Sequence, residues 1–95
     1  MVIDLFYLMN SRGKKKILKP PFDSEKTLKQ LGERIKELRV KKGYKSYEYF
    51  AYDHEISRAQ FGRYENGQDL RFSSLLKVIN ALGISLEDFF SEGFD

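Results

Sequence analysis

The sequence predicts an all-α fold of five short helices behind an N-terminal arm. From Lys26 onward apolar residues recur at helical spacing. Serines that can cap helices stand ahead of these stretches, and Gly43, Gly67 and Gly83 close three of them. No stretch after the arm alternates apolar and polar residues as a core strand would.

Leu28, Leu31, Ile35 and Leu38 form one stripe of a first helix that ends at Gly43. Ser46 opens a second, with Phe50, Ala51 and His54 on its inner face. A break at Glu55–Ile56 follows, and Ser57 caps a third helix bearing Phe61 and Tyr64. Asn66–Gly67 ends that helix, since both residue types tolerate the left-handed conformation that closes one. Ser73 or Ser74 starts a fourth with Leu75, Leu76, Ile79 and Leu82, ended by Gly83. Ser85 opens a short fifth carrying Leu86, Phe89 and Phe90.

Ahead of these lies an arm, residues 1–25, with the basic run Arg12–Lys19 and Pro20–Pro21, which blocks regular structure. Within it Val2–Leu8 leaves open a short edge strand. Residues 26–91 form the helical domain and 92–95 an acidic tail.

At 95 residues the chain suits one domain, and 41% hydrophobic content is too apolar for a disordered one. The absence of Cys excludes disulfides and thiolate metal sites, which fits a reducing compartment. Met1–Met9 is apolar but carries Asp4 and lacks the preceding basic residues of a secretory signal. No stretch nears the ~20 apolar residues of a membrane span. A cytoplasmic protein without membrane attachment is expected.

The net charge of +3 is unevenly spread. Arg12–Lys19 and the stretch from Lys26 to Ser46 are basic, whereas Glu87, Asp88, Glu92 and Asp95 make the end acidic. Two readings stay open: an anion-facing surface, or solvated charge runs. Lys14–Lys16 is likewise either a phosphate-gripping arm or a solvated tail.

His54 is the only histidine, and no Cys or convergent carboxylate pair accompanies it. It reads as a half-buried filler near a helix C-terminus, so no catalytic residue, metal site or cofactor is expected. Tyr44, Tyr47, Tyr49 and Tyr52 crowd one region, either as partner surface or as caps over gaps between short helices.

Function concentrates in SYEYFAYDHEISRAQFGRYENG, Ser46–Gly67. Two capped helices joined by about three residues form a sharp corner, not a hairpin. Ala51 supplies the small residue where they cross, and Ile56, Phe61 and Tyr64 pin the second helix to the first. The outer face of that second helix carries Arg58, Ala59, Gln60, Gly62 and Arg63. Such side chains suit base edges: Arg pairs with guanine, Gln with adenine, and Ala meets the thymine methyl. Gly62 is either a neutral exposed glycine or a site where backbone approaches DNA closely.

From about Leu31 to Phe90 the sequence resembles the phage-repressor-like (Xre-type) helix-turn-helix regulators. LGERIKELRVKKG at Leu31–Gly43, FAYDHEISRAQFGRYENG at Phe50–Gly67 and LLKVINALGISLEDFF at Leu75–Phe90 carry the likeness, in order and at the right spacing. The resemblance implies a third helix in the major groove, with Arg58, Ala59 and Arg63 at base-reading positions. It sets Tyr47 where a Gln usually contacts phosphate, and Asn66 and Arg71 near the DNA backbone, with Ser57 beside them at the helix start. It also implies an ion pair between Arg39 and Glu65.

The chain departs from the pattern in three places. The Gly43–Ser46 connection is a residue longer than usual, His54 replaces an aliphatic residue, and Glu55 replaces a turn glycine of positive φ. That last geometry, if kept, costs ~1 kcal/mol.

The resulting expectation is a non-enzymatic regulator that binds double-stranded DNA and represses by occupying an operator, as a homodimer. Phe89, Phe90 and Phe94 offer one dimer surface and Val2–Leu8 another; Phe89 and Phe90 capping the monomer's own core, with Phe94 frayed, is the competing possibility. The rival function is an antitoxin-like module that uses the same fold to bind a partner protein.

Overall fold

The computed structural model describes residues 23–95. The readings for Val2–Leu8 and Lys14–Lys16 lie outside the described residues. Five helices follow in order: α1 (Ser24–Lys41), α2 (Tyr47–Asp53), α3 (Arg58–Glu65), α4 (Phe72–Leu82) and α5 (Leu86–Phe89). Among the described residues there is no strand. The all-α, five-helix class expected from the sequence is the one observed.

Most helices begin where a side chain can satisfy free N–H groups. Ser46 accepts from the N–H groups of Glu48 and Tyr49, Ser57 from Gln60, and Ser85 from Asp88. α1 starts earlier than the apolar stripe indicates, because Asp23 accepts from Glu25 and Lys26. Ser24 and Glu25 therefore belong to the helix and not to an arm. α4 departs further: it begins at Phe72, Arg71 is its N-cap, and no side chain caps it. Ser73 and Ser74 lie inside its first turn. Leu70 packs on the core just ahead of the helix, so packing replaces a polar cap in setting its start.

Three helices end by one device. The N–H of Tyr44 donates to the carbonyl of Arg39, that of Ile56 to Ala51, and that of Gln68 to Arg63, at 3.1, 2.8 and 3.0 Å. Each bond brackets one residue in the left-handed region: Gly43, Glu55 and Gly67. Asn66 itself stays at φ −90°, so Gly67 alone takes the left-handed turn. Glu55 holds φ +56°, which keeps the glycine geometry without a glycine. Lys77 Nζ donates to the Glu55 carbonyl at 3.3 Å, tying this turn to α4.

The core draws on every helix: Leu31 and Ile35, Phe50 and Ala51, Phe61, then Leu75, Val78, Ile79 and Leu82, and Phe89. Phe50 and Phe61 stack with centroids 5.0 Å apart at 27°, fixing the corner between α2 and α3. Ala51 is fully buried at that corner. His54 folds its ring over Phe50 at 4.3 Å, and its Nδ1 lies 2.9 Å from the Phe50 carbonyl. It is a filler, half-buried at the end of α2.

The C-terminus is more ordered than an acidic tail. Phe89 is completely buried, so it belongs to the monomer's core and offers no dimer surface. Phe94 packs partly buried against that core and does not fray. Arg34, itself buried, donates to the carbonyls of Asp88 and Phe89 and pairs with Glu92 at 3.2 Å. Gln30 Nε2 donates to the Asp95 carbonyl. These bonds fold residues 92–95, read from the sequence as an acidic tail, back onto α1.

Because Glu55 occupies the left-handed region, Glu55→Gly is expected to stabilise the domain by about 1 kcal/mol, and Glu55→Val to destabilise it. Urea unfolding midpoints for the two variants check the sign.

Candidate nucleic-acid interface

The site is built on α3, which packs against both α1 and α2. Phe61 and Gly62 face inward and are buried, whereas Arg58, Ala59, Gln60 and Arg63 are exposed. The sequence-based reading put Gly62 on the outer face, as a neutral glycine or a point of approach to DNA. Both versions are overturned. A Cβ at Gly62 would lie 3.0–3.1 Å from the ring and hydroxyl of Tyr47, which covers that position.

Tyr47 therefore lies along α3, half-buried, with its ring 6.5 Å from that of Phe61. Tyr44 caps the neighbouring gap, edge-on to Phe50 at 5.1 Å. Its hydroxyl donates to Asp53 Oδ2 at 2.7 Å, and this bond to a carboxylate raises the phenol's pKa. Tyr49 and Tyr52 are 70% and 75% exposed, so the tyrosine cluster divides between gap-filling and open surface.

The far end of α3 is clamped to α1. Arg39 Nε and Nη2 donate to the two oxygens of Glu65, each at 2.8 Å, with both side chains almost wholly buried. Arg39 Nη1 donates to the carbonyls of Tyr44 and Lys45, both at 2.8 Å. Those two bonds tie the Gly43–Ser46 connection to α1. The hydrogen bond to Glu65 raises the Arg39 pKa against the opposing effect of burial. Glu65 ends α3, where a lone carboxylate would face the helix's negative pole; the guanidinium cancels that repulsion.

Gly32 completes the clamp, and the sequence reading missed it. A Cβ there would lie 2.6 Å from the Glu65 carbonyl oxygen and 2.7 Å from that of Tyr64. Only a glycine lets α1 touch the backbone end of α3 so closely. Arg34 was missed as well. It stands three residues after Leu31, on the apolar stripe, and a charge on such a face signals buried partners elsewhere in the chain.

Around the exposed face of α3, Ser57 sits at its start, Asn66 at its end and Arg71 ahead of α4, all exposed. The first-turn N–H of Gln60 uses one lone pair of the Ser57 hydroxyl, which leaves its O–H free to donate. Arg63 Nη1 donates to Gln60 Oε1 at 3.1 Å. Among the described residues no group of three His, Cys, Asp or Glu is placed to hold a metal, and no helix is long and apolar enough to cross a membrane.

Two short helices at a stacked-aromatic corner, the second clamped from behind and presenting arginines outward, define a helix-turn-helix DNA-binding domain. The family model for the Cro/C1-type HTH DNA-binding domain matches residues 34–91, and the chain belongs to that family. Comparison with curated proteins found no match, and comparison with solved structures found none either.

Removing one partner of a buried ion pair strands the other charge. Glu65→Ala is expected to cost about 3–5 kcal/mol, and Gly32→Ala about 1–3 kcal/mol through overpacking. Thermal and urea unfolding of the two variants measure both, and a Glu65→Ala protein as stable as the parent would show that the clamp adds nothing.

Proposed function

We propose that this chain is a sequence-specific transcriptional regulator, a repressor that acts by occupying its operator on double-stranded DNA. The observation that carries the reading is the exposed face of α3, where Arg58, Ala59 and Arg63 project from a helix whose opposite side is buried. An α-helix of this kind fits the major groove, where arginine pairs with O6 and N7 of guanine and alanine meets the thymine methyl. Gln60 lies beside them. Tyr47, Ser57, Asn66 and Arg71 supply phosphate contacts that set register without reading sequence. No cofactor and no catalytic group enter this mechanism.

One domain of this size buries only about 600–1,000 Å² on DNA, which limits discrimination. The functional unit is therefore a two-fold dimer on a pseudo-palindromic site, its half-sites about 34 Å apart. Leu86 and Phe90 on the C-terminal edge are 44% and 43% exposed, and Phe94 lies 5.2 Å from the Phe90 ring. That apolar edge supports a dimer contact there, with Arg71 near the operator centre.

Arg58→Ala and Arg63→Ala should each cost about 1–3 kcal/mol on the preferred site and relax preference at one base pair. Equal losses on preferred and random duplexes would make both arginines phosphate contacts. Sedimentation with and without operator tests the dimer: a strict monomer on a single unrepeated half-site refutes it, and Phe90→Glu should weaken both self-association and operator binding.

A further inference from the structure

The outer face of α3 contains one side-chain contact that major-groove reading leaves unused. Arg63 Nη1 donates to Gln60 Oε1 at 3.1 Å, one helical turn back. We propose that Gln60 is a positioning residue that orients the Arg63 guanidinium, and that it reads no base itself. This inference deepens the proposed function and rests on it.

Helical geometry separates the two residues. At about 100° per residue, Ala59 and Arg63 fall within about 20° of the line opposite buried Phe61, whereas Gln60 falls about 80° to one side and Arg58 about 120° to the other. Arg58 keeps its base-reading role through its place at the N-terminal end of the helix, which enters the groove first. Gln60 thus flanks the outward stripe on the side of Tyr64. There it lines an open cleft of about 510 Å³ with Tyr64, Asp69, Leu70, Arg71 and Ser74.

The chemistry of the amide points the same way. Glutamine recognises adenine with both ends, Oε1 accepting from N6 and Nε2 donating to N7. Here Oε1 is turned along the helix toward Arg63. The guanidinium gains what the amide gives up. Its five N–H donors lie in one plane. Holding Nη1 leaves the Nε–Nη2 edge free, and that edge presents the parallel pair of donors that O6 and N7 of guanine accept. Restricting Arg63 before binding also lowers the ordering cost of docking a long side chain.

The test is selection of bound sequences from a random duplex pool, with the full chain and the variants Gln60→Ala, Gln60→Glu, Arg63→Ala and Gln60→Ala/Arg63→Ala. Expected for Gln60→Ala is a roughly three- to tenfold loss on the preferred site. Preference should flatten at the same base pair that Arg63→Ala flattens and stay intact elsewhere. In the Arg63→Ala background, removing Gln60 should change nothing further. Gln60→Glu keeps an acceptor at the same reach, so the preferred base at that position should be retained even though the added negative charge weakens binding to every duplex alike. Flattening at a separate base pair, additive losses in the double variant, or a new preferred base with Gln60→Glu would each overturn the proposal and leave the DNA-binding reading standing. If the parent chain enriches no sequence at all, the DNA-binding reading fails and this inference falls with it.

Discussion

The buried bond between Arg39 and Glu65 fixes where α3 stands, and the candidate interface depends on that position. α3 has only two turns, too short to persist without tertiary support. Its first end is held by the Ser57 cap and the Phe50–Phe61 stack. Its far end ends in a carboxylate, a poor residue for a helix C-terminus, and would fray without the guanidinium. A bidentate pair inside a nearly dry contact adds direction as well as attraction, because both partners are planar. The same guanidinium holds the carbonyls of Tyr44 and Lys45, so one side chain fastens α3 and the turn leading into α2 to α1.

Two glycines make that geometry sterically possible. Gly32 lets the backbone of α3 approach α1, and Gly62 makes room for the ring of Tyr47. In both cases the missing Cβ serves packing and not backbone freedom. Each sits in a helix interior, where glycine costs about 1 kcal/mol relative to alanine. Close helix contact offsets this loss. The corner is therefore closed from behind by Gly32 and from the side by Tyr47, and only the arginine-bearing face of α3 is left open to solvent.

A second anchor of the same kind operates at the other end of the molecule. Arg34 reaches past α5 and collects two carbonyls and the Glu92 carboxylate. It lies 6.0 Å from the Phe89 ring centroid, so the same group packs and hydrogen-bonds. By this means a four-residue helix and the turn after it are held firmly. The Leu86 and Phe90 edge becomes a defined surface and not a loose end.

The sequence by itself determined the class: the stripe through Leu31 and Ile35, the serine caps at Ser46, Ser57 and Ser85, and the glycines after three helices are local signals, and each acts within a turn or two of its own position. The outward set read from the sequence, Arg58, Ala59, Gln60, Gly62 and Arg63, was legible only in part, since helical period sets Ala59 and Arg63 opposite Phe61 but leaves Gln60 and Gly62 on the flanks and Arg58 nearer to Phe61. The strained turn at Glu55 was implied by the family resemblance, whose pattern carries a turn glycine of positive φ at that place. Only the tertiary structure decided what depends on a partner distant in the chain. Gly62 read as exposed until Tyr47 was found across it, and Phe89 stayed open between a dimer surface and a core cap until Arg34 and the core enclosed it. The start of α4 followed Leu70 and not a serine, and the last residues folded onto α1 because Arg34 and Gln30 offered them donors. Local periodicity tells which way a side chain points; it does not tell what arrives from elsewhere to meet it.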